Sequence, residues 1–142
     1  MKVSNEIINI CPEIKKWRHE LHAHPELGYE EEWTSNFVAE KLESFGLEIH
    51  RGMAKTGVVG VLKGTNASFS GGGNKAIGLR ADMDALPMTE ENDFSYKSKF
   101  DGRMHACGHD GHTAMLLGAA KLLSSKKDFD GIMYFIFQPA EE

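Results

Sequence analysis

An almost entirely apolar run from Gly131 to Phe137 is the feature that most constrains the fold of this chain. Runs of this kind are typical of strands that are buried on both faces, as in α/β proteins with a central sheet. The run is followed at once by Gln138-Pro139-Ala140-Glu141-Glu142. Because α/β enzymes place their chemistry at the ends of such strands, the two carboxylates are candidate functional groups.

Two helices are predicted ahead of the strands. From Ile7 to Leu21 the apolar residues recur at spacings of three and four, which is typical of an amphipathic helix, and Pro25 favours its end at about residue 24. A second apolar stripe predicts a helix from about Glu30 to Phe45, with Gly46 as a favourable stop. The chain is therefore expected to begin with two helices.

The charged groups and histidines of these helices receive a structural interpretation. We expect the acidic run Glu30–Glu32 to complement the positive end of the helix dipole and to be solvated. His19 and His22 share a helix face. With His24 they are nevertheless not expected to bind a metal, because no carboxylate in the sequence is placed to complete a site.

The residue pattern then changes to that of strands. Leu47–His50 alternates and Gly57–Leu62 is rich in β-branched residues, which predicts two strands. Gly71–Gly73 predicts a flexible hairpin tip or a short linker. Ala76–Leu79 predicts a further buried strand, which leads into an acidic cluster at residues 80–84.

A loop and a third helix precede the apolar run. Residues 85–103 are polar with little periodicity, so we expect an irregular crossing or a short hairpin. Asp110 is predicted to cap a helix that continues through Leu123. The order helix, helix, strands, loop, helix, strand predicts an α/β fold, namely a three-layer sandwich with a mixed central sheet.

Composition excludes several classes of function. The formal net charge of −5 and the lack of a basic stripe argue against nucleic acid as a partner. No segment approaches the roughly 18 apolar residues of a membrane span, so no membrane partner is expected. The two cysteines, Cys11 and Cys107, argue against a disulfide framework and make the cytoplasm the expected compartment.

The densest set of metal-binding groups lies in residues 105–112. Cys107 and His109 are two residues apart, so both side chains can reach one ion, and Gly108 removes side-chain bulk between them. Thiolate and neutral imidazole are ligands that Zn²⁺ prefers. The N-terminus of the helix that follows is expected to lower the pKa of the Cys107 thiol, which favours metal binding.

The two terminal glutamates indicate how such an ion could be used. Adjacent side chains on an extended backbone point in opposite directions, so one of Glu141 and Glu142 can bind metal while the other faces the substrate as general base. Asp84 is expected to orient a neighbouring ligand or the base. The pattern predicts metal-assisted hydrolysis with a carboxylate that accepts the proton of water.

Four stretches together resemble the N-terminal part of the M20 metallopeptidase family, in its branch of aminoacylases and hippurate-hydrolase-like amidohydrolases. They occur in the family's order and span nearly the whole chain: Trp17–Glu31, Leu79–Pro87, His105–His112 and Phe137–Glu142. The resemblance implies a zinc-exopeptidase-like catalytic domain that binds two divalent ions (Zn, Mn, Co or Ni). It also implies hydrolysis of the amide bond of a small-molecule N-acyl amino acid.

The resemblance implies a role for each matching residue. Cys107, His109 and Glu142 correspond to metal ligands, Glu141 to the general base and Asp84 to a supporting residue near the metals. In this family two further histidine ligands and an inserted dimerisation domain lie downstream of the last motif. We therefore expect residues 1–142 to be the N-terminal part of a catalytic domain, inactive or nearly so in isolation. A homodimer is left open for the full-length protein.

Three other interpretations remain open. An M20-type dipeptidase or a deacylase of a diaminopimelate precursor would differ in a substrate pocket that is built partly by residues outside this chain. A non-catalytic metal-binding fragment would bind metal without cleaving an amide. A hydrolase that uses Cys107 as nucleophile with His105 or His109 is disfavoured, because clustered carboxylates oppose a thiolate nucleophile.

Overall fold

A computed structural model describes residues 3–65 and 75–142. Its elements, in chain order, are α1 (Asn5–His22), α2 (Glu32–Ser44), β1 (Glu48–Met53), β2 (Gly57–Lys63), β3 (Ala76–Asp82), α3 (His109–Lys126) and β4 (Ile132–Gln138). The predicted order of elements is confirmed. The hairpin tip expected at Gly71–Gly73 lies outside the described residues.

The four strands form one mixed sheet in the order β1-β2-β4-β3. Strands β1 and β2 pair antiparallel, as do β2 and β4, whereas β3 and β4 pair parallel with Asp82 beside Gln138. Because β3 and β4 run in the same direction, the acidic residues that follow them meet at one edge of the sheet. The β1–β2 turn lies at the same edge, since Val58 pairs with Phe137 near the end of β4.

All three helices share one core cluster with one face of the sheet. The face is supplied by alternate residues of the two central strands, and the cluster includes Val58, Leu62, Phe135, Phe137, Trp17, Leu21, Val38, Leu42 and Leu117. The α/β class and the mixed central sheet are therefore confirmed. The described helices supply one layer beside the sheet, and the third layer of the sandwich stays a prediction.

Strand β3 differs from its prediction. Ala76–Leu79 was expected to be buried, but β3 is the edge strand of the described sheet and Ile77 is 51% exposed. The prediction is wrong because a short apolar run indicates a strand without saying whether a neighbour pairs with its outer side. The apolar run of β4 does occupy a central position, but only Phe135 and Phe137 are buried, and the other five residues of the strand are partly exposed. Burial on both faces is therefore not confirmed.

None of the helices in the described part of the chain is long and apolar enough to cross a membrane.

Candidate metal centre

Three segments of the chain meet around the imidazole of His109 at the carboxyl edge of the sheet. Its Nε2 atom lies 3.6 Å from Asp82 Oδ1, 3.6 Å from Glu141 Oε2 and 3.7 Å from Glu142 Oε1. Asp82 ends β3, His109 begins α3, and the glutamates follow β4. A nitrogen surrounded by three carboxylates is a donor set that favours a divalent cation at its centre.

Asp84 determines which nitrogen of His109 faces this cluster. His109 Nδ1 lies 2.9 Å from the backbone oxygen of Asp84 and 3.3 Å from its Oδ1. Both oxygens only accept hydrogen bonds, so Nδ1 carries the proton and Nε2 keeps its lone pair free for a cation. That Asp84 orients a metal ligand or the base stays a prediction.

The same carboxylate holds the acidic loop that follows β4. Asp84 Oδ2 accepts hydrogen bonds from the backbone N–H groups of Glu141, at 2.9 Å, and Glu142, at 3.0 Å. The chain bends at Ala140, whose φ is +50°. The two glutamate side chains were expected to diverge, but both reach His109 Nε2, because the backbone here is not extended.

Two overlapping groups of potential ligands share His109. The ligand atoms of Cys107, His109 and Glu142 lie within 4.8 Å of one another, and so do those of Asp82, His109 and His112. The first group is the set that the family resemblance implies. The second was not assigned from the sequence, although His109 and His112 are three residues apart and therefore share a helix face.

Hydrogen bonding and a nearby imidazole favour the ionised form of the Asp82 carboxyl group. Burial alone would raise the pKa of this carboxyl group, but the hydrogen bond with His112 and the nearby His109 hold the pKa below its usual value. His112 Nδ1 lies 2.7 Å from Asp82 Oδ1, and Arg80 donates to Asp82 Oδ2 at 3.0 Å. Asp82 is thus an anion in place to stabilise positive charge at the cluster.

The pKa of the Cys107 thiol differs from its prediction. This pKa is raised, first by the hydrogen bond with Glu142 and then by desolvation and the neighbouring carboxylates. The prediction of a lowered pKa is wrong, because the carboxylates gathered around this thiol disfavour its anionic form. A cation bound among the same groups would reverse this balance, since a coordinating thiol is deprotonated.

A buried network of charges supports the first turn of α3. The ring of His22 lies 2.7 Å from Asp110 Oδ2 and 3.0 Å from Glu90 Oε1, and Arg18 donates to Asp110 at 3.1 Å. The hydrogen bond with Asp110 raises the pKa of His22 in spite of its burial. The argument that no carboxylate is placed near these histidines is therefore wrong for His22, because Asp110 and Glu90 lie far from it in the sequence. That the three histidines bind no metal stays a prediction.

Asp110 serves this network instead of capping α3. The N-cap residue is Gly108, whose φ of +95° belongs to the left-handed region. Asp110 lies in the first turn, where burial would raise its pKa, but the hydrogen bond with His22 and the nearby positive charges hold the pKa below its usual value. The N-cap prediction is wrong because this carboxylate points toward α1.

Fold and cluster together define a mixed α/β domain that gathers thiol, imidazole and carboxylate groups where two parallel strands end. Comparison with known proteins gives the class a name. Residues 78–142 match the model of peptidase family M20/M25/M40. Over this stretch the chain is similar to the M20 peptidase family.

Two curated relatives and one solved structure are especially similar. The chain is 51% identical to the hippurate hydrolase of Campylobacter jejuni over 142 residues, covering 100% of this chain and 35% of the relative. It is 50% identical to an N-acyl-L-amino acid amidohydrolase of Geobacillus stearothermophilus over 143 residues, covering 96% of this chain and 37% of the relative. It superposes with a TM-score of 0.85 and 40% identity on the Bacillus subtilis YxeP protein, covering 94% of this chain and 36% of that protein. The B. subtilis protein is described as a dinuclear metal-binding peptidase of the M20 family. The chain thus spans about a third of the length of these proteins.

Proposed function

We propose that this chain forms part of the catalytic centre of a metal-dependent amidohydrolase that cleaves N-acyl amino acids. The observation that carries the proposal is the cluster at His109, in which Cys107, His109 and Glu142 place three ligand atoms within 4.8 Å of one another. The names of the two curated relatives support this class of substrate.

We assign the roles from the geometry of the cluster. Cys107 Sγ, His109 Nε2 and a Glu142 carboxylate oxygen would hold a divalent ion, and these donor types fit a borderline-soft metal such as zinc. When bound, such an ion lowers the pKa of a water molecule and polarises the amide carbonyl. Glu141, whose side chain is 41% exposed, is free to accept a proton and return it to the leaving amine. Asp84 holds the backbone of both glutamates.

We also propose that residues 1–142 are the N-terminal part of a larger catalytic domain that binds two divalent ions, with Zn, Mn, Co and Ni as candidates. The short coverage of the relatives and the dinuclear description of the B. subtilis protein support this proposal. The homodimer and the cytoplasmic location stay predictions.

Metal retention tests the ligand assignment directly. After loading with zinc and dialysis, the wild-type chain should retain about one equivalent of metal by mass spectrometry, and Cys107→Ala should lose most of it. Cys11→Ala is the matched control, because Cys11 is the other exposed free thiol and lies in α1. Equal retention by Cys107→Ala and the wild type would refute the assignment of Cys107.

Amide hydrolysis tests the reaction itself. In the full-length protein, Glu141→Gln should lower kcat for N-benzoylglycine by about 10²- to 10⁴-fold while metal content stays unchanged. The peptidase description of the B. subtilis relative favours a dipeptidase as the second candidate. Faster cleavage of dipeptides than of N-benzoyl or N-acetyl amino acids would support that candidate and reject the amidohydrolase.

A further inference from the structure

Part of one of the four stretches that carry the family resemblance has no role in the cluster at His109 described so far. It is the loop at residues 25–31, which precedes α2 and contains part of the acidic run Glu30–Glu32. Glu30 and Glu32 are exposed as expected, but Glu31 is 0% exposed. A fully buried carboxylate is costly unless its oxygens are hydrogen-bonded, so its partners indicate what it does.

The carboxylate of Glu31 connects two other loops at the carboxyl edge of the sheet. Its Oε1 accepts a hydrogen bond from the backbone N–H of Ala140 at 2.9 Å, and its Oε2 accepts one from Thr56 Oγ1 at 2.6 Å. Ala140 immediately precedes Glu141, and Thr56 lies in the β1–β2 turn. One side chain therefore spans the turn and the loop that carries the proposed general base.

Ala140 needs this support because its backbone conformation is unfavourable. Its φ of +50° lies in the left-handed region, which residues with a Cβ rarely adopt. Gly28 of the same loop as Glu31 packs against it so closely that a Cβ built on Gly28 would lie 3.0 Å from Ala140 Cβ. The loop at 25–31 thus holds the bend at Ala140 by both a hydrogen bond and close packing.

The bend determines where Glu141 points. Three successive N–H groups are held by two buried carboxylates: Ala140 donates to Glu31, while Glu141 and Glu142 both donate to Asp84. The loop at 25–31 also contacts the Asp84 segment, because Glu26 O accepts from Ala85 N at 2.8 Å. The same loop therefore sets the position of both acidic segments of the cluster.

We propose that Glu31 is a positioning residue for Glu141: by accepting the Ala140 N–H it maintains the bend that directs the general base toward the cluster. The inference rests on the proposed function, because it assigns Glu31 to the reaction of that same site. Both carboxylate oxygens of Glu31 accept hydrogen bonds from the loops, one from Ala140 and one from Thr56, so we assign it a role through the loop.

Three variants of the full-length protein test this role. Glu31→Ala removes both hydrogen bonds. Glu31→Gln keeps them, because its amide oxygen can accept from Ala140 while its amide nitrogen donates to a rotated Thr56 hydroxyl. Glu30→Ala is the matched control, since Glu30 is the adjacent exposed glutamate and forms a surface ion pair with Arg103 at 3.1 Å.

The first measurement does not depend on activity. Hydrogen exchange at the amides of residues 140–142 should become about tenfold or more faster in Glu31→Ala, while exchange in the core strands stays as in the wild type. Exchange in Glu31→Gln and Glu30→Ala should resemble that of the wild type. Unchanged exchange in a folded Glu31→Ala would overturn the inference.

The second measurement is the kinetics of N-benzoylglycine hydrolysis. Because a displaced base affects the chemical step, kcat should fall by about 10- to 100-fold in Glu31→Ala with KM nearly unchanged, and Glu31→Gln should restore it. A Gln variant as impaired as the Ala variant would overturn the inference. If Glu31→Ala does not fold, Thr56→Val removes one hydrogen bond and should produce a smaller fall of kcat; unchanged kcat in Thr56→Val together with unchanged exchange at 140–142 would count against the role.

The two measurements separate the inference from the proposed function. A wild-type protein that cleaves no N-acyl amino acid would reject the proposed function, and the exchange data would still decide whether Glu31 holds the loop. A wild-type protein that is active while Glu31→Ala keeps its full kcat would reject the inference alone.

Discussion

Removal of the Asp84 carboxylate should loosen the acidic loop and destabilise the protein. Asp84 is 1% exposed, and its Oδ2 accepts the N–H groups of Glu141 and Glu142 at 2.9 and 3.0 Å. Asp84→Ala leaves both donors without this acceptor. The hydrogen bond of His109 Nδ1 to the backbone oxygen of Asp84, at 2.9 Å, survives the substitution.

The magnitude follows from the two lost hydrogen bonds. An N–H group left without a partner costs about 1–3 kcal/mol, so two cost about 2–6 kcal/mol. The side chains of Glu141 and Glu142 are 41% and 28% exposed. Water can therefore reach this loop, and we expect a loss of unfolding free energy in the lower half of that range, about 2–4 kcal/mol. Asp84→Asn keeps one accepting oxygen and should lose about 1 kcal/mol.

Urea denaturation of the wild type, the two Asp84 variants and an exposed control, Asp93→Ala, measures these differences. Cobalt titration followed by absorbance shows whether His109 still binds in its original orientation, because Asp84→Ala also removes the Oδ1 contact at 3.3 Å. A loss below about 0.5 kcal/mol in Asp84→Ala, as in the surface control, would refute the reasoning that this carboxylate holds the loop.

Three further perturbations test other parts of the structure. Gly28→Ala should cost about 1–3 kcal/mol of unfolding free energy and lower activity, because its new Cβ would meet Ala140 Cβ at 3.0 Å. Glu26→Ala should cost about 1–2 kcal/mol in urea denaturation, because this side chain accepts two N–H groups at the start of α2, at 3.0 and 2.8 Å. The third perturbation is a change of pH. The stabilisation that His22 provides should be complete below its usual pKa of 6.5 and should disappear as pH rises through its raised folded-state pKa. Because the pKa of Asp110 is lowered in the folded protein, the stabilisation that Asp110 provides should be lost as pH falls through that folded-state pKa.

Each of these expectations has a result that contradicts it. Normal stability and activity in Gly28→Ala would show that the loop at 25–31 can move away from Ala140. An unchanged urea midpoint in Glu26→Ala would show that solvent caps α2 equally well. For the network, the difference in unfolding free energy between wild type and His22→Ala should shrink as pH rises through the raised folded-state pKa of His22, and a constant difference would exclude an ion pair.

Local sequence patterns were sufficient to predict most elements of the fold. The apolar stripe of α1 and the β-branched run of β2 repeat with the periods of a helix and a strand, and a period depends only on neighbouring residues. The loop that carries Cys107 and His109 was likewise identified from its residue types and spacing. These features could be predicted because the information that determines them is contained within about ten residues.

Contacts between distant segments could be decided only by the tertiary structure. Nothing in the acidic run Glu30–Glu32 distinguishes its buried member, because the burial of Glu31 depends on Thr56 and on Ala140, which lies 109 residues away. His22 meets Asp110 across 88 residues, and His112 meets Asp82 across 30. The exposure of β3 depends on which strands pair with it. The sequence by itself determined the elements and the chemical groups of the candidate site, whereas the parallel pairing of β3 with β4 and the packing of the loop at 25–31 decided which of those groups meet.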